Sequence, residues 1–236
     1  MEGKEWFSKL RNKLSGSDGS AAQWPDWYCH YRQRTANPPA PLSAVSSLSI
    51  VVLDAETTGL DVRVDRILCL GALRVHGNSI SLGEKFEAYL PTPPGCDAKP
   101  AVSIHGIIPN SHRYSYVEEP KLLADLLEYL GDSIIVGHHI GFDIEMINRS
   151  LLRNGAAPLV NRVIDTGILA KRLRPSGYWT PENDYSLDAL ARRYRIPLSD
   201  RHTALGDCYI TAVLWLKLLT RLTVKLGREL RLEDLE

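Results

Sequence analysis

From Ser49 the chain carries the unbroken apolar run Ile50-Val51-Val52-Leu53, which ends at an acid, Asp54. Such a run, stopped by a charge, predicts a strand buried on both faces, the first strand of a core sheet. Residues 67–75 and 80–89 are strand-like and are separated by Gly77 and Asn78, a pattern that predicts a hairpin. The apolar spacing then becomes helical over residues 120–130 and 142–153, with short apolar strands at 134–136 and near Val163 and Ile164. Further helices are predicted over 165–173, 186–194 and 202–226, the last with Val213, Leu216, Leu219 and Leu222 on a face suited to a sheet. Three antiparallel-looking strands followed by alternating strands and helices predict an α/β fold, a mixed β-sheet flanked by helices.

Ahead of this pattern, Trp6, Phe7, Leu10 and Leu14 recur at near-helical spacing among basic residues and predict a short amphipathic helix. Residues 16–22 read as a Gly/Ser/Ala linker, and 37–42 contain three prolines. The expected organisation is therefore an N-terminal extension, residues 1–43, and a domain over residues 44–230. Trp24, Trp27, Tyr28 and Tyr31 are too aromatic for a pure spacer. They either pack on the domain surface or offer a base-stacking or partner-binding patch.

Composition narrows the classes. The 236 residues include 28 Lys and Arg against 28 Asp and Glu, with 44% hydrophobic residues, so the chain reads as an ordinary globular protein. A formal charge of zero argues against a broad basic face for duplex DNA, and predicts that any nucleic-acid contact is local, at a cleft or through metal. Cys29, Cys69, Cys96 and Cys208 form no Cys-x-x-Cys pair, which suits a reducing, cytoplasmic setting. Residues 1–14 are charged throughout, unlike a secretory signal, and residues 210–226 are broken by Lys217, Arg221 and Lys225, so no membrane span is expected.

Three acidic motifs carry the chemistry. In Asp54-Ala55-Glu56-Thr57-Thr58-Gly59-Leu60, two acids one residue apart project to the same face of an extended chain and can reach one metal. In His138-His139-Ile140-Gly141-Phe142-Asp143, an acid enters the first turn of a predicted helix. In His202-Thr203-Ala204-Leu205-Gly206-Asp207, a histidine lies five residues ahead of another acid. Taken singly, each has a plain structural reading, as a solvated strand end or a carboxylate complementing a helix dipole. His138, His139, His202 and Cys208 also include zinc-ligand types, but four acids suit oxygen-loving Mg²⁺ or Mn²⁺ better.

As a set, and in this order, the motifs resemble the DnaQ-like 3′-to-5′ exonucleases of the DEDDh type, the family of the proofreading epsilon subunit of bacterial DNA polymerase III. The resemblance runs from about Ser49 to Leu222 and takes in Ile104-His105-Gly106-Ile107, Asp165-Thr166, and Ser186-Leu187 ahead of Ile196-Pro197. It implies a ribonuclease H-like fold, with Asp54, Glu56, Asp143 and Asp207 as ligands of two Mg²⁺ or Mn²⁺ ions. His202 would be the general base, a role that suits imidazole because that side-chain class titrates near neutrality. Thr203 stands where the sister subgroup has tyrosine, which selects the histidine type. The second motif departs from the family, with His139 where asparagine is common. The family also implicates Thr57, Thr58, Gly59 and Leu60 in holding the terminal nucleotide; His105 either contacts the same nucleotide or stabilises the turn at Gly106. DNA is the expected substrate, as a single-stranded 3′ end; an exoribonuclease, or a non-catalytic nucleic-acid-binding or polymerase-accessory module, is the alternative. The extension keeps a role open in binding a DNA polymerase or another protein.

Overall fold

The computed structural model describes residues 24–94, 99–108, 110–173 and 182–235. The helix expected within residues 1–14, the linker at 16–22 and Cys96 lie outside them. β1 (Ser49–Thr57), β2 (Ile67–His76) and β3 (Ser79–Tyr89) form an antiparallel meander. β4 (Ile134–Gly137) pairs parallel with β1, and β5 (Val163–Asp165) parallel with β4. The sheet order is thus β3-β2-β1-β4-β5, with β1 at the centre. The helices are α1 (Asp26–Arg34), α2 (Lys99–His105), α3 (Glu119–Leu130), α4 (Gly141–Arg153), α5 (Thr166–Arg172), α6 (Leu187–Tyr194) and α7 (Ala204–Leu226). The mixed sheet, its hairpin and its flanking helices follow the apolar pattern of the sequence closely.

Side chains alternate across a strand, so β1 divides its apolar run between two cores. Ile50 and Val52 face Leu169 of α5, Leu190 of α6 and Trp215 and Leu218 of α7. Val51 and Leu53 face Tyr28 and Tyr31 of α1, Leu122 and Leu126 of α3, and Ile147 and Leu151 of α4. The same alternation carries on past the apolar run. Asp54 and Glu56 share the parity of Ile50 and Val52 and emerge on the α7 side, where the third motif lies.

The aromatic segment before Ala44 is built into the body of the fold. Tyr28 and Tyr31 are fully buried. The Tyr28 hydroxyl donates to the Pro158 carbonyl at 2.8 Å, and the Tyr31 hydroxyl donates to Asn161 Oδ1 at 2.6 Å while accepting from the Val160 N–H at 2.9 Å. Residues 43 and 45 are likewise clipped to the C-terminal segment, Val45 N–H donating to the Leu230 carbonyl at 2.9 Å and Leu232 N–H to Ser43 at 3.0 Å. A boundary at Ala44 therefore falls inside the packed body. Trp24 remains partly exposed.

One predicted helix start is corrected. α7 begins at Ala204, not at His202, and Thr203 is its N-cap, its Oγ1 accepting from the Gly206 N–H at 3.1 Å. His202 has φ 63° and Asp200 φ 54°, left-handed conformations that end any helical continuation. Among the described residues no helix is long and apolar enough to cross a membrane.

Candidate active site

The site lies at the carboxyl ends of the parallel strands. β1 delivers Asp54 and Glu56, while β4 leads through His138 and His139 into α4, whose first turn carries Asp143. Asp143 Oδ1 accepts from the Ala55 N–H at 2.9 Å, tying α4 to the strand between its two acids. The chain turns from β4 into α4 with His139 at φ 53°, a conformation for which asparagine is better suited than histidine.

Asp207 arrives from the other side, on the first turn of α7. It can come close because Gly71 stands opposite Asp54 on β2. A Cβ at Gly71 would lie 2.7 Å from the Ala204 carbonyl carbon and 2.9 Å from the Leu205 nitrogen, so any larger residue lifts the start of α7 off the sheet. Cys208 completes the contact, its thiol donating to the Gly71 carbonyl at 3.2 Å. The preceding turn is equally tight: a Cβ at Gly206 would collide with the Asp200 carbonyl oxygen.

Ligand oxygens of Asp54, Glu56 and Asp207 then lie within 4.8 Å of one another, the one such grouping among the described residues. Asp143 adjoins it and raises the pKa of both β1 acids. Among the described residues no histidine or cysteine joins the cluster. His138 is turned inward, its Nδ1 2.9 Å from Thr166 Oγ1 and its ring edge-on to His139 at 4.4 Å. Burial, reinforced by His139, pushes the His138 imidazole down to about 4.

All four acids resist ionisation. Withdrawal from solvent, then repulsion from Asp143 and Asp207, holds Asp54 well above the usual carboxylate range. Glu56 is pushed up to about 8 by desolvation and by Asp207 and Asp143. Burial raises Asp143 and Asp207 as well, with the Arg201 guanidinium the main counterweight at Asp207. Asp207 Oδ1 is buried and has no hydrogen-bond partner. An oxygen-rich cluster that repels itself, with an orphaned carboxylate oxygen inside it, is the donor set a hard divalent cation requires.

The remaining expected residues divide into two groups. Thr57 and Thr58 are buried and their hydroxyls shape the loop, donating to the Gly59 carbonyl and to Asp65 Oδ1, each at 2.7 Å. They support Gly59 and Leu60, and Leu60 stands 84% exposed at the tip. His105 is buried, its Nδ1 accepting from the Ile107 N–H at 3.0 Å. Desolvation lowers its pKa; the Thr57 carbonyl, close by without a well-formed hydrogen bond, opposes this, and His202 adds to the lowering. His202 is exposed at the rim, with Nδ1 3.4 Å from Arg201 Nη1.

Arg201 was not legible as a site residue, although it immediately precedes His202. Its Nη1 donates to Asp207 Oδ2 and its Nε donates to Asp188 Oδ1 at 2.5 Å. Asp165 was also missed; its charge raises Asp143 while its side chain caps α5, accepting from the Gly167 N–H at 2.7 Å.

Comparison with known proteins identifies the family and the fold. Residues 51–214 match the family model described as exonuclease, the RNase T type. A Staphylococcus aureus DNA polymerase III of the PolC type is 30% identical over 178 residues, covering 73% of this chain and 11% of that protein. The chain therefore spans about a tenth of the length of that relative. E. coli exonuclease I in complex with a dT13 oligonucleotide superposes with a TM-score of 0.65 and 26% identity, covering 76% of this chain and 42% of that one. The zinc-bound form of the E. coli exonuclease I complex with single-stranded DNA gives 0.61 at 26% identity, covering 74% and 41%.

Two measurements follow from the site. In chelator, the folded state holds the Glu56 proton up to about pH 8, against an ordinary value of 4.5, so it binds more protons than the unfolded chain between these limits. Stability therefore falls as pH rises through that window. Glu56→Gln should flatten the fall and melt higher than the parent at pH 8 in chelator, and a parallel fall in both would contradict the assignment. Gly71→Ala should lower Mn²⁺ affinity at least tenfold while costing about 1–3 kcal/mol in urea unfolding, as overpacking does. Unchanged Mn²⁺ affinity would show that the α7 crossing does not set Asp207.

Proposed function

The chain belongs to the exonuclease family of the RNase T type, and on that footing we propose that it removes nucleotides from the 3′ end of single-stranded DNA. The observation that carries the reading is the convergence of Asp54, Glu56 and Asp207, with Asp207 Oδ1 buried and unpartnered. Single-stranded DNA as the substrate is supported by the exonuclease I complexes to which the chain is similar.

Asp54, Glu56, Asp143 and Asp207 would hold two Mg²⁺ or Mn²⁺ ions, which supply Lewis-acid polarisation of the phosphoryl oxygens and of water when bound. The residues of the chain do the rest. His202, exposed at the rim beside Arg201, accepts the proton of the attacking water. The water oxygen forms its bond to phosphorus as the bond to the 3′-oxygen of the preceding nucleotide breaks, and that oxygen leaves with the bonding electrons and takes a proton from solvent, while His202 returns its own to solvent. The product is a nucleoside 5′-monophosphate and a chain shorter by one residue. Exposed Leu60 packs on the terminal base, and His105, beside the Thr57 strand end, completes the nucleotide pocket.

Digestion of 5′-labelled single-stranded DNA and RNA with Mg²⁺, Mn²⁺ or chelator tests this reading. Stepwise shortening from the 3′ end, faster on DNA, is expected to vanish in chelator and in Asp54→Ala. His202→Ala should keep Mn²⁺ binding yet lose ~10²–10⁴-fold in turnover. Near-normal turnover in that variant would remove His202 from the mechanism, and faster cleavage of RNA would make the enzyme an exoribonuclease.

Similarity to part of a DNA polymerase III supports a polymerase-related partner, and a cytoplasmic location accords with it. The segment ahead of Trp24 is our candidate for contacting that partner. A pull-down with and without this segment should recover a replication protein only with the longer form, and equal recovery would exclude the segment.

A further inference from the structure

A formal charge of zero hides a local imbalance beside the cleft. α5, α6 and α7 bring their basic ends to one face. Lys225 Nζ donates to the Arg172 carbonyl at 3.3 Å, joining the end of α7 to the end of α5. The Tyr185 ring lies beneath both Lys171 at 5.2 Å and Arg193 at 5.7 Å, and the Tyr194 ring lies 4.6 Å beneath Arg221. These contacts make the cations of three helices contiguous, and the rings hold several of them in place by cation–π attraction.

Most cations of this face are both gathered together and without a carboxylate partner. Elsewhere Arg34, Arg63, Lys121, Arg153 and Arg228 are each paired with a carboxylate, whereas exposed Arg32, Lys85 and Arg113 have none within 4.0 Å among the described residues. Lys171, Arg172, Arg192, Arg195, Arg221 and Lys225 are exposed, and among the described residues none has a carboxylate within 4.0 Å. Here only Arg193 is paired, with Asp184 at 3.7 Å. Clustered, unneutralised and pre-positioned cations form a surface for a polyanion.

Position selects which polyanion. Asp188, in the first turn of α6, accepts from Arg201 Nε at 2.5 Å, and Arg201 also holds Asp207 of the carboxylate cluster. Arg192 lies one helical turn further along α6, about 6 Å by the rise of the helix, and its charge is felt at Asp188. The basic face thus begins at the edge of the cleft and leads away from it. An acidic peptide or an anionic membrane would match the charge but has no reason to start there. We propose that the α5–α6–α7 face binds the phosphate backbone of the strand on the 5′ side of the nucleotide being removed, a proposal that rests on reading the cleft as a nuclease site.

The test uses the full chain with Arg192→Gln, Arg195→Gln and Arg221→Gln combined, all outside the catalytic machinery. Binding of a labelled oligonucleotide long enough to cover cleft and face is read by fluorescence anisotropy in chelator across a salt series. Hydrolysis of a dinucleotide in Mg²⁺ reports the cleft alone. Three lost phosphate contacts at ~0.7 each should make the log–log salt slope shallower by about 2. KM for the long strand should rise severalfold with kcat unchanged, and dinucleotide hydrolysis should be untouched. An unchanged slope overturns the proposal, as does a parallel loss on the dinucleotide. Loss of binding to an acidic peptide or an anionic vesicle, with oligonucleotide binding intact, overturns it in favour of another partner. If the parent protein cuts neither DNA nor RNA yet the slope still falls in the variant, the face stands and the nuclease reading fails.

Discussion

Carboxylates repel one another, and this chain forces four of them into one partly desolvated volume. Asp54 and Glu56 cannot separate because a single residue divides them on one strand, and Asp143 cannot retreat while it holds the Ala55 N–H. Asp207 is pressed in from above because Gly71 lets α7 approach the sheet. The Ala55 N–H partly stabilises the Asp143 charge, but the contacts together keep the acids crowded. The favourable terms lie elsewhere, in the two apolar layers that sandwich the sheet, which fix the backbone firmly enough to hold an unfavourable constellation. A divalent cation is the natural partner of such a frame, because the burial and crowding that raise the pKa of Asp54 and Glu56 are what a bound cation would offset.

Local strain gathers at the same place. His139, Asp200 and His202 all adopt left-handed backbone conformations, His139 and His202 within the acidic motifs and Asp200 just ahead of the third. At His202 the conformation places the side chain at the rim instead of on the helix face, where a continuous α7 would have carried it. The tight turn that does this is locked by Thr203, whose Oγ1 donates to the Asp200 carbonyl at 2.7 Å and accepts from Gly206. Placement of an exposed histidine on a strained turn ahead of a long helix trades local stability for a fixed position.

Charge is distributed with similar economy. The acids converge in the cleft, Arg201 stands at its edge between Asp188 and Asp207, and unpaired cations lie beyond on α5, α6 and α7. A neutral chain can therefore carry both a cation-seeking cleft and an anion-seeking face.

The sequence by itself determined the strands, the hairpin and most helices, because burial on one or both faces leaves a period in the chain that is readable without knowing the neighbours. It also singled out Asp54, Glu56, Asp143 and Asp207 as candidates, through the order of three acidic motifs and the family that this order resembles, because each motif alone reads equally well as a strand end or a helix-dipole carboxylate. What depends on contacts between distant residues was decided only by the tertiary structure. Tyr28 and Tyr31 looked like part of an extension, yet their hydroxyls find partners about 130 positions away in the body of the fold. Thr57 and Thr58 turned inward because Gly59 and Asp65 take their hydroxyls, leaving Leu60 to project. α7 began two residues late because the chain must turn back under Gly206. Arg201 and the basic face acquired meaning only when helices remote in sequence were packed side by side. Periodicity records how far each residue is buried, but charge pairing and close approach depend on which residue lies opposite, and that is a property of the folded chain alone.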